Sequence, residues 1–251
     1  MVLIHLLGRD LIGMTKKTPR GRGSLQNTLI NFGRHLIYSE GTKTEPYYID
    51  NIKKRIAKKY NCETNSVQIV PVCKDKKQSF NTIGLVEYAQ NDVSKRLSAN
   101  EIINHVWILF DKDSFPKDDF NEAVNKINSK NDSDEKSDFG FTFEKRTNIT
   151  WHSCSSNESF ELWYLLYYDY IDSKLQRNQY IEKLREKDGL KHLSAKEIKS
   201  FENIHDVITL HGGSIKNAIR NAIKLNKQNG LENPSTYVVE LAEFFMPYFD
   251  S

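Results

Sequence analysis

Residues 106–113 read Val-Trp-Ile-Leu-Phe-Asp-Lys-Asp, and this stretch decides the fold class. Its first five side chains are apolar, which is typical of a strand buried on both faces of a parallel sheet. The strand ends in Asp111 and Asp113, two acids separated by one residue. Such a strand needs neighbouring strands and helices on both faces, so the stretch predicts an α/β protein.

Strand and helix patterns alternate on either side of this stretch. Short apolar runs predict strands, and apolar residues at every third or fourth position predict amphipathic helices. In chain order we predict a strand at 35–39, a helix from about 45, a strand at 67–72, a helix at 80–97, the strand at 106–110, a helix at 120–127, a strand at 148–152 and a helix at 160–168. This alternation favours right-handed βαβ units and a mostly parallel sheet flanked by helices.

The two ends of the chain differ from this α/β region. Residues 1–34 include a basic, Gly-containing segment without apolar periodicity, which predicts a flexible arm. Met14 opens that basic segment, so residues 1–13 are either native or an upstream artefact. Residues 171–251 predict helices, at 177–187, 195–204, 214–228 and 235–248. We therefore divide the chain into a basic arm (1–34), an α/β domain (35–170) and a C-terminal helical extension (171–251).

Composition narrows the class of protein but not its chemistry. Of the 251 residues, 38% are hydrophobic and 27% are charged, which is typical of a globular domain. No apolar run approaches the roughly 18 residues of a membrane span, and three cysteines are too few for a disulfide framework. We expect a cytoplasmic protein with no membrane association. The chain also lacks a Walker A motif and a His-Glu-x-x-His zinc motif.

Acids follow two of the most apolar predicted strands. Glu40 comes after strand 35–39, and Asp111 and Asp113 come after strand 106–110. The carboxyl ends of parallel strands meet at one edge of a sheet, where functional groups gather. Oxygen-only ligands suit Mg²⁺ or Mn²⁺, so these three residues are a candidate metal site. The alternative is that they are ordinary turn and helix-capping residues.

Four motifs in order resemble the RloB-like (AbiLii) family, whose members contain a Toprim-like domain. The motifs are SEGTKTE at 39–45, WILFDKD at 107–113 with Phe115 and Pro116 nearby, SNESFELWYLLYY at 156–168, and NPST at 233–236. The resemblance covers about residues 35–248. One departure from the family pattern is Glu158, which stands where the family usually has proline.

The resemblance implies a Toprim-type phosphotransfer site. In that family pattern Glu40, Asp111 and Asp113 bind Mg²⁺, and Glu161 is an additional acid. Lys43 belongs to the first motif and is placed to neutralise a phosphate; a solvated turn lysine explains it equally well. The implied substrate is RNA or DNA, and the implied partner is an AAA-type ATPase of an anti-phage system.

Two hypotheses therefore follow. The first is a Mg²⁺-dependent Toprim-type nuclease that acts as the effector in abortive infection. The second is a non-catalytic RloB-like effector or regulatory subunit that binds the AAA-type ATPase. The nuclease requires Glu40, Asp111 and Asp113 to lie close enough to share one metal ion, whereas the non-catalytic subunit does not. Oligomeric state is left open, and a homo-oligomer is compatible with the sequence.

Two basic zones give weak support to the first hypothesis, the nuclease. One is the arm, and the other is the helix face at 53–59, continued by lysines at 74, 76 and 77. Both can contact nucleic acid, although solvated helix faces are usually charged as well. The arm contributes Lys16, Lys17, Arg20 and Arg22.

Overall fold

The computed structural model describes residues 33–72, 81–113, 116–131 and 149–249. Several predictions concern residues outside these ranges. They are most of the basic arm, including the choice between Met1 and Met14 as the start, the lysines at 74, 76 and 77, and Phe115.

Within these described ranges five strands form one sheet, and the predicted α/β class with a mostly parallel sheet is confirmed. The sheet order is β2-β1-β3-β4-β5. The first four strands run parallel, and β5 pairs antiparallel with β4. The strands are β1 (His35–Ser39), β2 (Ile69–Val72), β3 (His105–Asp111), β4 (Thr150–Asn157) and β5 (Ser235–Thr236).

Nine helices surround the sheet in the described part of the chain. They are α1 (Thr44–Lys59), α2 (Thr82–Ser98), α3 (Lys117–Asn128), α4 (Glu161–Leu165), α5 (Arg177–Arg185), α6 (Ala195–Lys199), α7 (Ile204–Leu210), α8 (Ile215–Asn229) and α9 (Val238–Phe249). No helix in these ranges is long and apolar enough to cross a bilayer.

Side chains of the central strands alternate between two cores. Leu36, Val106 and Ile108 pack with apolar residues of α2 and α3 on one face. Ile37 and Trp107 pack with residues of α1, α4 and α9 on the other. This period of two is inherent in an extended chain, and it buries β1 and β3 on both faces.

The C-terminal region differs from the prediction of helices alone. Residues 235 and 236, predicted as the start of a helix, form β5, and α9 begins at Val238. Ser156 and Thr236 bring their side-chain oxygens within 2.9 Å across the β4–β5 pair. Phe245 of α9 shares a core with Ile37 and Trp107. The C-terminal segment thus completes the sheet and its core, and the proposed boundary near residue 170 stays a prediction.

Two other predicted elements are shorter or interrupted. The helix predicted at 195–204 is α6 followed, after a break, by α7. At the break, the carbonyl of Lys199 accepts a hydrogen bond from Thr44 Oγ1 (3.0 Å), and that of Glu202 accepts one from Asn51. Side chains of α1 therefore satisfy carbonyls that a continuous helix would use internally. The helix predicted at 160–168 is the five-residue α4.

Strand register places the ends of β1 and β3 together. Ser39, the last residue of β1, pairs with Leu109, and the Glu40 N–H donates to the Leu109 carbonyl at 3.0 Å. Asp111, the last residue of β3, pairs with Ser156 of β4. The residues that follow these strands therefore share one edge of the sheet.

Candidate active site at the carboxyl edge of the sheet

The turn from β1 to α1 brings two acids to this edge. Glu40 follows the strand, and Glu45 is a buried residue of the first turn of α1. A Cβ on Gly41 would collide with the Glu45 carboxylate, so a larger residue there would have to displace that carboxylate from its buried position. Ser39 Oγ fixes the turn by donating to the Gly41 carbonyl at 2.9 Å.

The end of β3 supplies two more acids. Asp111 is buried, whereas Asp113 is partly exposed. The N–H of Lys112 donates to the Ser156 carbonyl (2.8 Å), and that of Asp113 donates to the Glu158 carbonyl (3.0 Å). Asp113 has a φ of +40°, a left-handed conformation that aspartate tolerates better than most residues. The loop is therefore fastened to the end of β4.

Glu161 lies behind these residues at the start of α4. Its side chain is only 1% exposed. Within the described residues, neither of its carboxylate oxygens accepts a hydrogen bond. A buried carboxylate with unused acceptor capacity is costly unless a cation or a proton compensates it.

Arg177, the first residue of α5, lies among these acids, and no sequence pattern predicted this. Its Nη1 is 2.7 Å from Asp113 Oδ2, its Nη2 is 3.7 Å from Asp111 Oδ2, and its Nε is 3.9 Å from Glu161 Oε2. Arginines are common on solvated helix faces, so composition alone does not distinguish this one. In the described part of the chain, this guanidinium lies within 4 Å of three carboxylates and is their counter-charge.

All of these groups except Glu161 line an open cleft of about 290 Å³. Four of the five predicted site residues, Glu40, Lys43, Asp111 and Asp113, contribute to its lining. The fifth, Glu161, does not line it and reaches the cluster through Arg177. The cleft also includes residues that were not predicted as site residues, namely Gly41, Thr42, Thr44, Glu45, Arg177 and Lys199.

Burial and mutual repulsion make two of these acids, Asp111 and Glu45, hold protons more tightly than usual. Burial raises the pKa of Asp111 well above its ordinary value, and the nearby charges of Glu45 and Glu161 add to this effect. Burial likewise raises the pKa of Glu45 to about 7, with further contributions from Glu161 and Glu40. Arg177 opposes both shifts. One arginine thus offsets only part of the negative charge.

The side chains as placed do not form a ready-made metal centre. Among the described residues, no three acidic, histidine or cysteine side chains are arranged to hold one ion. Glu40, Asp111 and Asp113 share the cleft, and Arg177 pairs with both aspartates.

His152, which the sequence places near SNESFELW, lies away from the acidic cleft. Its ring stacks on Trp107 at a centroid distance of 3.6 Å. Its Nε2 is 3.1 Å from Nδ1 of His105, the first residue of β3. His152 is therefore a packing residue near the amino ends of the strands, while the acids lie at the carboxyl ends.

Comparison with known proteins identifies one relationship. A family model described as RloB-like protein matches residues 35–245. No curated protein and no solved structure matches the chain.

Proposed function

Since the chain belongs to the RloB-like family, we propose that its acidic cleft is the active site of a Mg²⁺- or Mn²⁺-dependent nuclease of the Toprim type. The substrate is a phosphodiester of RNA or DNA, and the biological setting is anti-phage defence. The observation that carries this proposal is the meeting of Glu40, Asp111 and Asp113 in one open cleft at the carboxyl edge of two adjacent parallel strands.

The donor set suits a hard divalent cation. Its ligating atoms are carboxylate oxygens, the type that Mg²⁺ and Mn²⁺ prefer. The buried oxygens of Glu161 accept no hydrogen bond within the described residues, and burial beside other carboxylates raises the pKa of Asp111. Additional positive charge would relieve both conditions. Glu40, Asp111 and Asp113 would hold the ion, which when bound supplies Lewis-acid activation of a phosphodiester and of water.

The chain's own residues have separate roles in this proposal. Lys43 is exposed at the rim of the cleft, where its ammonium can contact a substrate phosphate. Arg177 balances Asp111 and Asp113 in the absence of other cations, and its guanidinium can turn towards a phosphate when they are otherwise engaged. Glu161 lies behind the cleft, with Oε2 3.9 Å from Nε of Arg177, and its role is to orient that guanidinium.

The test compares the wild-type chain with Asp111→Asn and with Asp118→Asn, a matched control at an exposed position of α3. Each protein is titrated with Mn²⁺ by calorimetry and incubated with mixed RNA and DNA oligonucleotides in Mg²⁺. We expect metal-dependent cleavage by the wild type and the control, and its loss in Asp111→Asn. Equal cleavage by all three proteins would overturn the assignment of this cleft.

One observation favours the second hypothesis, a non-catalytic subunit that binds an AAA-type ATPase. Arg177 already pairs with the two aspartates, and no metal-ligand group is assembled among the described residues. A protein of this kind would bind no divalent ion and cleave no nucleic acid, either alone or with the ATPase. Metal binding without cleavage until the ATPase is added would instead identify an activated nuclease.

A further inference from the structure

A second cleft, of about 590 Å³, opens along the C-terminal half of α1. Four cationic side chains of α1 line it, and one carboxylate, Asp206, faces them. Lys54 and Lys58 are exposed, so their ammonium groups are accessible to a ligand in the cleft. The four cations are Lys54, Arg55, Lys58 and Lys59, and they define what we call the basic cleft.

The basic cleft and the acidic cleft share the same two walls. One wall begins at Lys43 and the first turn of α1, which line the acidic cleft, and continues along the C-terminal half of α1, whose basic side chains line the basic cleft. The other is the segment from Lys199 to Asp206. Thr44 donates to the Lys199 carbonyl at 3.0 Å, and Asn51 donates to the Glu202 carbonyl. The two clefts are therefore neighbours along α1, and these hydrogen bonds hold their shared walls together.

The basic cleft is longer than a single phosphate group. Eight positions separate Asn51 from Lys59, which corresponds to about 12 Å along a helix at 1.5 Å per residue. Successive phosphates of a strand are spaced by about 3.4 Å, so the basic cleft accommodates about three nucleotides. The ligand that matches its four cations and its length is a polyanion.

Two cations of the basic cleft, Arg55 and Lys59, are held in place by other protein groups before any ligand binds. Arg55 Nη1 lies 2.9 Å from Nε2 of His205, and its Cζ lies 5.2 Å from the centre of the Phe249 ring. Lys59 Nζ donates to the Pro247 carbonyl at 3.0 Å. Lys54 pairs with Asp50 at 2.6 Å on the exposed surface, where such a pair contributes little and exchanges easily for a phosphate.

An exposed aromatic ring distinguishes a nucleic acid from an acidic peptide as the ligand. Tyr60 follows Lys59 at the end of α1 and is 44% exposed. Basic grooves that bind single strands combine phosphate contacts with aromatic rings on which bases stack. We propose that the basic cleft binds the backbone of a single-stranded nucleic acid and that Tyr60 stacks on one of its bases. That the same strand continues into the acidic cleft rests on the proposed nuclease function.

The test measures binding without metal, so it is independent of cleavage. A fluorescent 20-nucleotide strand of mixed sequence is titrated in EDTA with the full chain, with Lys54→Gln/Lys58→Gln, and with Lys95→Gln/Lys227→Gln. The control pair is exposed on α2 and α8 and has the same change in charge. We expect about tenfold weaker binding by the first variant, with a salt slope smaller by about 1.4, and no change in the control.

Equal affinity and equal salt slope for all three proteins would overturn the inference, as would tighter binding of a 20-residue polyglutamate than of the strand. Tyr60→Ala adds a test of stacking, with an expected loss of about five- to tenfold. If the protein binds the strand through Lys54 and Lys58 but never cleaves it, the nuclease proposal is wrong and the binding cleft stands. If the protein cleaves nucleic acid but the lysine variant binds the strand as tightly as the wild type, the binding cleft is wrong and the nuclease proposal stands.

Discussion

Nη1 of Arg177 lies 2.7 Å from Oδ2 of Asp113, although 64 residues separate them in the chain. The contact joins the first residue of α5 to the loop after β3, and it extends to Asp111 and Glu161 at 3.7 and 3.9 Å. The helical C-terminal region therefore supplies the counter-charge of a cleft built by the sheet.

Replacing Arg177 tests this counter-charge. In Arg177→Gln the carboxylates lose their nearest cation, so we expect Mn²⁺ to bind about tenfold more tightly. In EDTA we expect a loss of about 1–2 kcal/mol in the free energy of unfolding, because Arg177 is partly exposed and its pairing is screened. Added Mg²⁺ should restore this loss. Arg220→Gln on the exposed face of α8 is the control; weaker metal binding in Arg177→Gln would contradict the counter-charge role.

Glu45 predicts a fall in stability as pH rises. Burial and neighbouring acids raise its pKa from 4.5 to about 7 in the folded protein, so the folded state binds a proton that the unfolded chain releases. The contribution of Glu45 to the free energy of unfolding is complete below pH 4.5 and is lost as pH rises from 4.5 to 7. This loss is on the order of 3 kcal/mol. Denaturant unfolding in EDTA measures this slope. Glu45→Gln should flatten it; an unchanged slope would show that another group is responsible.

The core of the sheet could be predicted because β1 and β3 consist largely of consecutive apolar residues. The second half of β4 could not, since its Ser155, Ser156 and Asn157 are polar, and the last two of them pair with β5. That strand comes from residues about 80 positions later in the chain. The break between α6 and α7 depends similarly on hydrogen bonds from α1.

The part of the candidate site that could be predicted consists of the acids that directly follow predicted strands. Glu40, Asp111 and Asp113 were found from that pattern and line one cleft. Glu45 stood in a quoted motif, but its burial depends on the space above Gly41. Arg177 carried no local signal, because only the tertiary placement of α5 brings it to the cleft.

Gly41 can be tested through the space that Glu45 occupies. In Gly41→Ala the new methyl group meets the Glu45 carboxylate, and we expect a loss of about 1–3 kcal/mol. The double variant Gly41→Ala/Glu45→Ala removes the collision. Chemical denaturation of the wild type, Gly41→Ala, Glu45→Ala and the double variant gives the coupling free energy between the two positions. We expect it to be at least about 1 kcal/mol. Additive effects would show that the two residues do not compete for that space.

His105 predicts a separate loss of stability in acid. Burial, aided by His152, lowers the pKa of His105 from 6.5 to about 4. The unfolded chain therefore takes up a proton that the folded protein excludes, and stability falls as pH drops from 6.5 to 4. Because the ring is only partly buried, we expect about 1 kcal/mol. His105→Gln should remove this loss, whereas the exposed control His192→Gln should retain it.

Glu161 separates a catalytic role from a structural one. Glutamine has nearly the same shape, and its amide needs no counter-charge, so Glu161→Gln should not lower the free energy of unfolding in EDTA. The proposed nuclease uses the Glu161 carboxyl group to orient Arg177, and we expect cleavage to fall by about 100-fold. Glu182→Gln, an exposed position on α5, is the matched control. Full cleavage by Glu161→Gln would show that this carboxylate only fills space beneath the cleft, whereas lost cleavage with unchanged stability and unchanged strand binding would place its charge in the reaction.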